Sequence, residues 1–272
     1  VTAASVEVAS ARANKGRGLR LLTGRVTSPT LGAQIKALLA DMPEARWHQY
    51  ESVHTDNSRA GAVQAFGQPV NTYYDLTKAD VVVSLDADLF EAGHAAVRQA
   101  RDFMGRRTQQ VRAGAASDSQ LNRLYVAECS PTGTGSVADH RLALDSGRIE
   151  ALTAQLARDL GVSVAGSLPA FDDTTGWLAP LASDLQQHRG RSAIIVGEHQ
   201  APAVHALAHA INSALGNIGH TVHLTDPLDA VSIDQTGSLV ELVNDMRADE
   251  VTALIMLDVN PVYDAPGELE FS

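Results

Sequence analysis

The feature that most constrains the fold of this chain is a loose internal repeat. An apolar run that ends at Gly24 leads through a short polar loop to Pro29, where a helical pattern begins. A similar run that ends at Gly197 leads to Pro202 and a second helical pattern. The two glycines are 173 residues apart, and so are the two prolines. The order of strand, glycine and helix-starting proline is common in proteins, so chance is the alternative explanation.

A second pair of matching segments favours a true repeat. The apolar run 81–85 is followed by Asp86-Ala87-Asp88, and the run 253–257 is followed by Asp258-Val259-Asn260, 172 residues later. A spacing that changes by one residue over this distance predicts two α/β units of common plan.

The hydrophobic pattern predicts strands that alternate with helices. Strands are predicted at 19–23, 46–50, 80–85, 124–127, 193–196, 221–224 and 252–257, and helices at 29–41, 57–66, 92–105, 149–160, 202–215 and 238–247. Such alternation implies parallel sheets with right-handed crossovers. The predicted fold class is therefore α/β, with two related doubly wound parallel-sheet units.

The same pattern predicts a division into domains. Residues 1–16 are expected to be a linker or mobile arm, 17–165 a first α/β domain, 166–190 a crossover, and 191–272 a second, incomplete α/β domain. Because the chain lacks an initial methionine and ends soon after a turn, we expect it to be a piece of a longer protein.

Composition excludes several functions. The net charge of −11 repels the nucleic-acid backbone. A single cysteine, Cys129, excludes an internal disulfide, a Cys-ligated iron–sulfur cluster and a zinc site of several thiolates. No apolar run approaches the length needed to span a membrane. The basic residues Arg98, Arg101, Arg106, Arg107 and Arg112 indicate either a solvated helix face or an anion or partner site.

Ligands of open parallel sheets bind beyond the carboxyl ends of the strands, so polar residues there are the candidates for chemistry. Asp86 and Asp88 could bind ribose hydroxyls or a cation, or could cap the following segment. The segment Thr132–Ser136 could hold a phosphate or be an ordinary flexible loop, and it lacks the Gly-Lys-Ser/Thr ending of a P-loop. Neither pair of alternatives is decided by the sequence.

Two further features favour structural roles. His205 and His209 have metal-ligand spacing on a helix, with His199 upstream, but no Glu follows His205 as an HExxH motif requires. The apolar residues of this helix place the two histidines on its flank, and a metal site is disfavoured. Cys129 is predicted to be a partly buried structural thiol.

Several segments carry a resemblance to a family. They are Thr27–Leu31, Trp47–Tyr50, Leu121–Tyr125, Ser130 through His140, Leu215–Gly219 and Leu254 through Pro266, which includes Asp258-Val259-Asn260-Pro261. From Gly18 to Phe271 the chain resembles molybdopterin oxidoreductases of the dimethyl-sulfoxide-reductase type. It is most similar to the molybdopterin-like domain of the large iron–sulfur subunit of bacterial alternative complex III, a quinol:electron-acceptor oxidoreductase.

The resemblance implies two related α/β domains that, in catalytic members, hold two pterin guanine dinucleotides and molybdenum or tungsten. In the complex III branch it implies no such cofactor, with iron–sulfur clusters elsewhere in the parent chain. This sequence departs from the catalytic pattern at Asp88, where an Asn followed by Pro is expected, and at Glu128-Cys129-Ser130, which replaces Asp-Pro-Arg. It departs again at Asp145-Ser146-Gly147, which replaces Pro-Gly-Thr. These departures weaken the predicted binding of both nucleotides.

The sequence therefore predicts a cofactor-less scaffold that packs against the iron–sulfur domain of the parent chain and other subunits of a membrane respiratory complex. The resemblance also implies export and a position on the outer, periplasmic face of the bacterial inner membrane, without direct membrane insertion. The alternatives are the bis-pterin-binding part of an active molybdenum or tungsten enzyme and a free nucleotide-binding module. For a bound cofactor the predicted lining residues are Gly24, Ser28, Asp86, Asp88, Thr132, Asp139, Gly197 and Asn260.

Overall fold

The fold is an alternation of helices and strands. A computed structural model describes residues 2–114, 121–163 and 170–271, apart from the side chains of residues 2–7. The helices are α1 (Thr2–Ala13), α2 (Pro29–Asp41), α3 (Asp56–Phe66), α4 (Ala96–Arg112), α5 (Gly133–Ser136), α6 (Ile149–Asp159), α7 (Leu178–Gln187), α8 (Pro202–Ala214), α9 (Gln235–Arg247) and α10 (Pro261–Asp264). The strands are β1 (Leu19–Thr23), β2 (Arg46–Gln49), β3 (Asn71–Tyr74), β4 (Val81–Leu85), β5 (Arg123–Glu128), β6 (His140–Ala143), β7 (Ser192–Val196), β8 (Val222–Thr225) and β9 (Ala253–Leu257).

The chain forms two compact units whose boundaries differ from the predicted domains. Unit 1 comprises residues 1–56 and 227–272, and unit 2 comprises residues 57–226. The reason is strand pairing, because β1 pairs with β9 and β4 pairs with β7. Each of the two parallel sheets thus combines strands of the first copy with one strand of the second copy, and a division between the copies would cut both sheets.

The repeat is visible in the geometry of each unit. In both units the strand that ends at the repeated glycine runs parallel to the strand that ends at the repeated aspartate. The two aspartates share a rare left-handed backbone, with φ of 55° at Asp86 and 56° at Asp258. Such angles are uncommon outside glycine, and Asp is among the residues that tolerate them.

Unit 1 is built on a three-stranded parallel sheet in the order β2-β1-β9. Successive residues of β1 point to opposite faces. Leu21 packs with Val26 and Ile35, and Leu22 packs with Leu239 and other residues of α9. The sheet is therefore covered by helices on both faces.

Unit 2 is built on a four-stranded parallel sheet in the order β6-β5-β4-β7. Val81, Val83 and Leu85 of β4 face the core that includes α6, α7 and α8, and Val82 faces the core around Phe103 of α4. Strands β3 and β8 form a separate antiparallel pair. The predicted α/β class with doubly wound parallel sheets is confirmed.

Some predicted elements differ from the observed ones. Residues 2–13 form α1 where the sequence predicts a linker or arm, which suits their alanine-rich composition. The predicted crossover 166–190 contains α7, and its residues 166–169 lie outside the described residues. Helix α4 begins at Ala96 rather than at 92, since Gly93 takes a φ of 80° that ends the preceding turn. Within the described ranges, no helix has the length and apolar character needed to span a membrane.

Candidate functional site

The carboxyl end of the sheet in unit 2 gathers polar side chains around Asp86. This carboxylate follows β4, and its Oδ2 lies 2.8 Å from His199 Nε2 and accepts a hydrogen bond of 2.8 Å from Gln200 Nε2. Ser146 Oγ donates to the same oxygen, and the Cys129 N–H donates to Oδ1 at 3.4 Å. Asp86 therefore connects the segments that follow β4, β5, β6 and β7 in unit 2.

The electrostatics of this cluster favour an ionised Asp86. Burial raises the pKa of Asp86, but the hydrogen bonds from Ser146, His199 and the Cys129 N–H outweigh it and hold the pKa below its ordinary value. The residue types are those of a hydrolase triad, but the geometry is not. Ser146 donates to the carboxylate rather than to His199, whose Nε2 is 3.4 Å from the hydroxyl. The Ser146 hydroxyl is thus bonded to the carboxylate, and the cluster joins the loops around Asp86.

The segment Thr132–Ser136, which the sequence singles out for a phosphate, consists of the N-cap Thr132 and helix α5, and a carboxylate already occupies the loop at its start. Glu128 is only 1% exposed, and it accepts hydrogen bonds from the N–H of Thr132 at 3.4 Å and from its hydroxyl at 2.7 Å. Arg141 Nε donates to Glu128 at 2.5 Å. A side chain on Gly135 would collide with this carboxylate, so the glycine leaves the space that Glu128 fills.

Two more carboxylates border the same loop. Asp88 Oδ1 accepts hydrogen bonds from the N–H of Thr134 at 3.2 Å and from its hydroxyl at 2.6 Å. The carboxylate of Glu91 lies where a side chain on Gly133 would stand. Asp88 and Thr132, both named from the sequence for a bound cofactor, thus lie beside the same loop, and each of them bonds to the protein itself.

Gly197 has a steric role beside this cluster. Its N–H donates to the carbonyl of Leu85 at 3.0 Å, and any side chain on it would collide with the carbonyl of Asp86. The residue brings two strand ends into close contact in unit 2, and this requires the absence of a Cβ.

Asp139 lies away from the other predicted residues of unit 2. It accepts hydrogen bonds from the N–H of Leu124 at 2.8 Å and from Arg107 at 2.5 Å. Leu124 is near the start of β5, about 13 Å along the strand from Glu128. Asp139 therefore stands at the amino end of this sheet, where it holds α4 against β5.

The basic residues of α4 are largely paired within unit 2. Arg98 and Arg101 contact Asp102, Arg106 contacts Asp80, and Arg107 contacts Asp139, as the ion pairs of this helix show. The sequence left a solvated helix face and an anion or partner site as alternatives, and the structure shows neither: these arginines bond to carboxylates of their own unit.

In unit 1 a cleft of about 570 Å³ opens at the carboxyl ends of the strands. Gly24 and Asn260, two of the residues named from the sequence for a bound cofactor, line it together with the carboxylates of Glu51, Asp258 and Asp264. None of the lining residues in the described part of unit 1 is Lys or Arg. The cleft is acidic and would repel a phosphate.

Ser28 serves the local fold of unit 1. Its hydroxyl accepts a hydrogen bond from the N–H of Leu31 at 3.3 Å, and Pro29 occupies the first turn of α2. This is the ordinary N-cap arrangement of a helix.

His205 and His209 differ from their predicted placement. They are 6% and 7% exposed, so both lie in the interior of unit 2 rather than on the flank of α8. Burial, with repulsion from His209, lowers the pKa of His205 to about 4, and burial lowers the pKa of His209 to about 4. In the ranges that the structure describes, no group of three or more His, Cys, Asp or Glu residues could hold a metal ion.

Cys129 is also placed differently, because its side chain is exposed rather than partly buried. It follows β5 directly, where the chain leaves the sheet. Its backbone N–H, not its thiol, contributes to the Asp86 cluster.

Similar structures address the fold. No protein-family model matches the sequence, and a comparison with curated proteins gives no match. The formyltransferase/hydrolase complex FhcABCD from Methylorubrum extorquens, solved with methylofuran, contains a similar chain at 14% identity and a TM-score of 0.50, covering 78% of this chain and 54% of that one. Acetylene hydratase from Pelobacter acetylenicus is similar at 13% identity and a TM-score of 0.51, covering 82% of this chain and 33% of that one.

At such low identity these likenesses concern the fold alone, and they agree with the α/β class described above. The chain spans about half the length of the first protein and a third of the second.

The residues that decide the character of the site were not all predicted. Glu128 is visible in the sequence only as a departure from the expected Asp-Pro-Arg, and nothing there shows that its carboxylate turns into the following loop. Ser146 and Gln200 come from separate loops that meet only after the sheet has formed. The position of Glu128 directly after the predicted strand 124–127 was the one signal for it in the sequence.

Proposed function

We propose that this chain is a molybdopterin-oxidoreductase-like module that binds no pterin dinucleotide and serves as a structural scaffold in a larger electron-transfer assembly. The observation that carries the proposal is the buried carboxylate of Glu128. It occupies the loop of unit 2 in which a nucleotide phosphate would otherwise find amide and hydroxyl donors.

Charge repulsion supports this reading. A phosphate in the loop would lie close to Glu128, Asp88 and Glu91, all of which border it. Two like charges 4 Å apart repel by about 4 kcal/mol at the effective dielectric constant of a protein surface. The ion pair with Arg141 offsets part of this repulsion at Glu128. The residues of this loop do not fit a diphosphate, and we assign no chemical step to a cofactor there.

The remaining predicted residues support the same reading. Asp86 has its carboxylate oxygens bonded to its own unit, and the cleft of unit 1 carries three acidic residues without a basic one. Under a scaffold function these positions are clamps, caps and turns. Their polar groups stabilise the ends of the sheets.

The host that we propose comes from the sequence resemblance. It is a membrane-bound quinol:electron-acceptor oxidoreductase of the alternative complex III type, on the outer face of a bacterial inner membrane. In this proposal the iron–sulfur clusters belong to another part of the parent polypeptide. The two units pack against that part and against neighbouring subunits.

One observation favours a second candidate, the bis-pterin-binding part of an active molybdenum or tungsten oxidoreductase. The cleft in unit 1 has a volume of about 570 Å³ and lies where ligands of parallel sheets bind. Gly24 and Asn260 both line it.

Elemental and nucleotide analysis of the full-length protein, purified from native membranes, separates the two candidates. We expect iron without molybdenum, tungsten or acid-released guanine nucleotide. Near-stoichiometric metal with about two nucleotides per polypeptide would exclude the scaffold and make the cleft an active site. Iron serves as the internal control that the preparation has kept its metal centres.

A further inference from the structure

We propose that Thr236, His54 and Asp56 of unit 1 form an acyl-transfer site, in which the hydroxyl of Thr236 is the nucleophile toward small esters that carry no negative charge. This inference goes beyond the proposed function. It does not depend on whether either unit holds a nucleotide, because the three residues lie outside the loop at Glu128 and do not line the cleft of unit 1.

The observation that carries the inference is the order in which the three side chains contact one another. Oγ1 of Thr236 lies 3.1 Å from Nε2 of His54, and Nδ1 of the same imidazole lies 3.3 Å from Oδ2 of Asp56. A hydroxyl, an imidazole and a carboxylate in this order are the parts by which a nucleophilic hydroxyl is activated. The Asp86 cluster has the same kinds of group in another order, since its serine donates to the carboxylate.

The backbone at the start of α9 holds Asp56 in place and ionised. Its Oδ1 accepts a hydrogen bond from the N–H of Gln235, and its Oδ2 accepts one from the N–H of Thr236, each at 3.1 Å. Burial raises the pKa of Asp56, but these hydrogen bonds and the nearby imidazole outweigh it and hold the pKa below its ordinary value. Asp56 is therefore a positioning residue whose negative charge stabilises a protonated His54.

The carboxylate also decides which nitrogen of His54 carries the proton. Nδ1 has two contacts, one with the carboxylate of Asp56 at 3.3 Å and one with the N–H of the same residue at 3.4 Å. The contact with the ionised carboxylate is the stronger, because charge on the acceptor strengthens a hydrogen bond. It favours a proton on Nδ1 and leaves the lone pair of Nε2 facing the hydroxyl of Thr236, as a general base requires.

The nucleophile is open to solvent, while its base is sheltered. Thr236 is exposed, whereas the side chain of His54 is 25% exposed and that of Asp56 is 12% exposed. Tyr50, which lines the cleft of unit 1, has its ring centroid 6.4 Å from that of His54. A small ester can therefore reach the hydroxyl from solvent, beside an aromatic side chain.

The charges around Thr236 define the class of substrate. Asp234 lies beside the nucleophile, where its carboxylate accepts a hydrogen bond from the N–H of Gly237 at 3.1 Å. Asp56 adds a second negative charge on the same turn of α9. Because like charges repel, acyl donors with a carboxylate or phosphate are disfavoured. We therefore expect neutral or cationic esters.

In the proposed step the oxygen of Thr236 attacks the carbonyl carbon of the ester, and the hydroxyl proton passes to Nε2 of His54. The bond to the alkoxy group then breaks, and His54 gives the proton to that group. An alcohol leaves and the acyl group stays on Thr236. The N–H groups of Gln235, Thr236 and Gly237 already bond to carboxylates and do not stabilise an oxyanion, so we expect slow transfer and accumulation of the acyl-threonine.

Acetylation by p-nitrophenyl acetate tests the proposal in the 272-residue protein. Peptide mass spectrometry measures how fast an acetyl group is added to Thr236. We expect this rate to exceed by about 100-fold the rate at Thr108, an exposed threonine whose hydroxyl donates to the carbonyl of Met104. Thr236→Ser should keep the reaction, because serine supplies the same hydroxyl, and Thr236→Ala should abolish acetylation of this peptide.

Two histidine variants test the base. His54→Gln should slow acetylation of Thr236 by about 100-fold or more. His220→Gln, at an exposed position of unit 2, is the matched control and should leave the rate unchanged. Circular dichroism should show that both variants are folded. Equal rates at Thr236 and Thr108, an unchanged rate in His54→Gln, or an acetyl group found on His54 and never on Thr236 would each overturn the proposal.

Discussion

Asn217 shows how a single buried residue shapes unit 2. Its side chain is fully buried, and Oδ1 accepts hydrogen bonds from the N–H of Ser192 at 3.3 Å and from its hydroxyl at 3.1 Å. Its Nδ2 donates to Asn212 Oδ1 at 3.0 Å, so the turn after α8 is tied to the start of β7. In the sequence this residue appears only as part of the Leu-Gly-Asn-Ile-Gly segment. The structure gives that segment a folding role.

We expect Asn217→Ala to lower the free energy of unfolding by about 2–3 kcal/mol, because several buried donors and acceptors lose their partner at once. Urea denaturation monitored by circular dichroism measures the change. Asn244→Ala, at an exposed position of α9, is the matched control and should change stability by less than about 0.5 kcal/mol. Equal effects of the two variants would contradict the assigned role.

The buried histidines of α8 make stability depend on pH. His205 and His209 have folded-state pKa values of about 4, below the ordinary 6.5, because burial disfavours the charged imidazole. Between these pH values the unfolded chain binds protons that the folded chain does not. Stability is therefore complete above about pH 6.5 and falls as the pH is lowered toward 4.

Each histidine should contribute a loss of about 2 kcal/mol between pH 7 and pH 4.5. The variant His209→Gln should remove one of these contributions, so its free energy of unfolding should change less over this interval than that of the unmodified protein. His220→Gln, at an exposed position, should keep the full pH dependence. Chemical denaturation at pH 7 and pH 4.5 measures the free energy of unfolding of the three proteins. The same pH-dependent loss in all three would refute the explanation.

At the scale of elements, the contact between α3 and α8 depends on a glycine. A Cβ on Gly61 would collide with the Cβ of His205 and lie 2.7 Å from the carbonyl of Pro202. Gly105, in the middle of α4, has no atom within 4 Å of the equivalent point. The two helical glycines therefore differ in environment while sharing the same intrinsic cost.

We expect Gly61→Ala to destabilise unit 2 by about 1–3 kcal/mol through overpacking. Gly105→Ala should stabilise it by about 0.5–1 kcal/mol, because alanine is the better helix former and meets no neighbour. Thermal unfolding of the two variants provides the comparison. If the two variants changed the unfolding temperature in the same direction, helix propensity rather than the contact with α8 would determine the stability effect at both glycines.

The sequence predicts elements well where local signals are strong. Helices α2 and α8 begin at the predicted prolines, and β1 and β4 are found because their apolar runs are nearly continuous. The strand β6 was missed because it is short and mostly exposed, which leaves no hydrophobic pattern. The buried face of α8 was misjudged because two histidines were not expected to belong to it.

The site follows the same logic. Asp86, Asp88, Thr132 and Gly197 lie at one end of a sheet, since each follows a strand of that sheet, and their role toward a cofactor stays a prediction. Asp139 lies at the opposite end because it precedes β6 rather than following β5. The resemblance of a segment to a family does not reveal at which end of the sheet its residues lie.

For the whole molecule, the chain order and the compact units do not coincide. Unit 2 is a continuous segment that interrupts unit 1, whose sheet needs residues from both ends of the chain. The sequence repeat could not show this, because similar strands in two copies can pair within a copy or between copies. Only the observed register of β1 with β9 decides between these pairings.

The interruption predicts unequal independence of the pieces. A protein of residues 57–226 contains both hydrophobic cores of unit 2, so we expect it to unfold in one cooperative transition. Residues 1–56 alone should remain unfolded, because β9 and α9 supply one edge and one face of their sheet. Urea titration of the two fragments measures this. Noncooperative unfolding of the 57–226 fragment would contradict the division of the chain into these two units.

The buried ion pair of Arg20 with Asp245 in unit 1 joins residues 225 positions apart, and Arg20 lies at the centre of its sheet. Ribosomes add about 5–20 residues per second, so about 10–45 s separate the synthesis of the two partners. During that interval the first 56 residues carry a positive charge and an apolar strand whose neighbours do not yet exist. Residues 57–226 are complete earlier, and their sheet can form while translation continues. The sheet of unit 1 can therefore be completed only after residues 57–226 have been made, although its central strand precedes them.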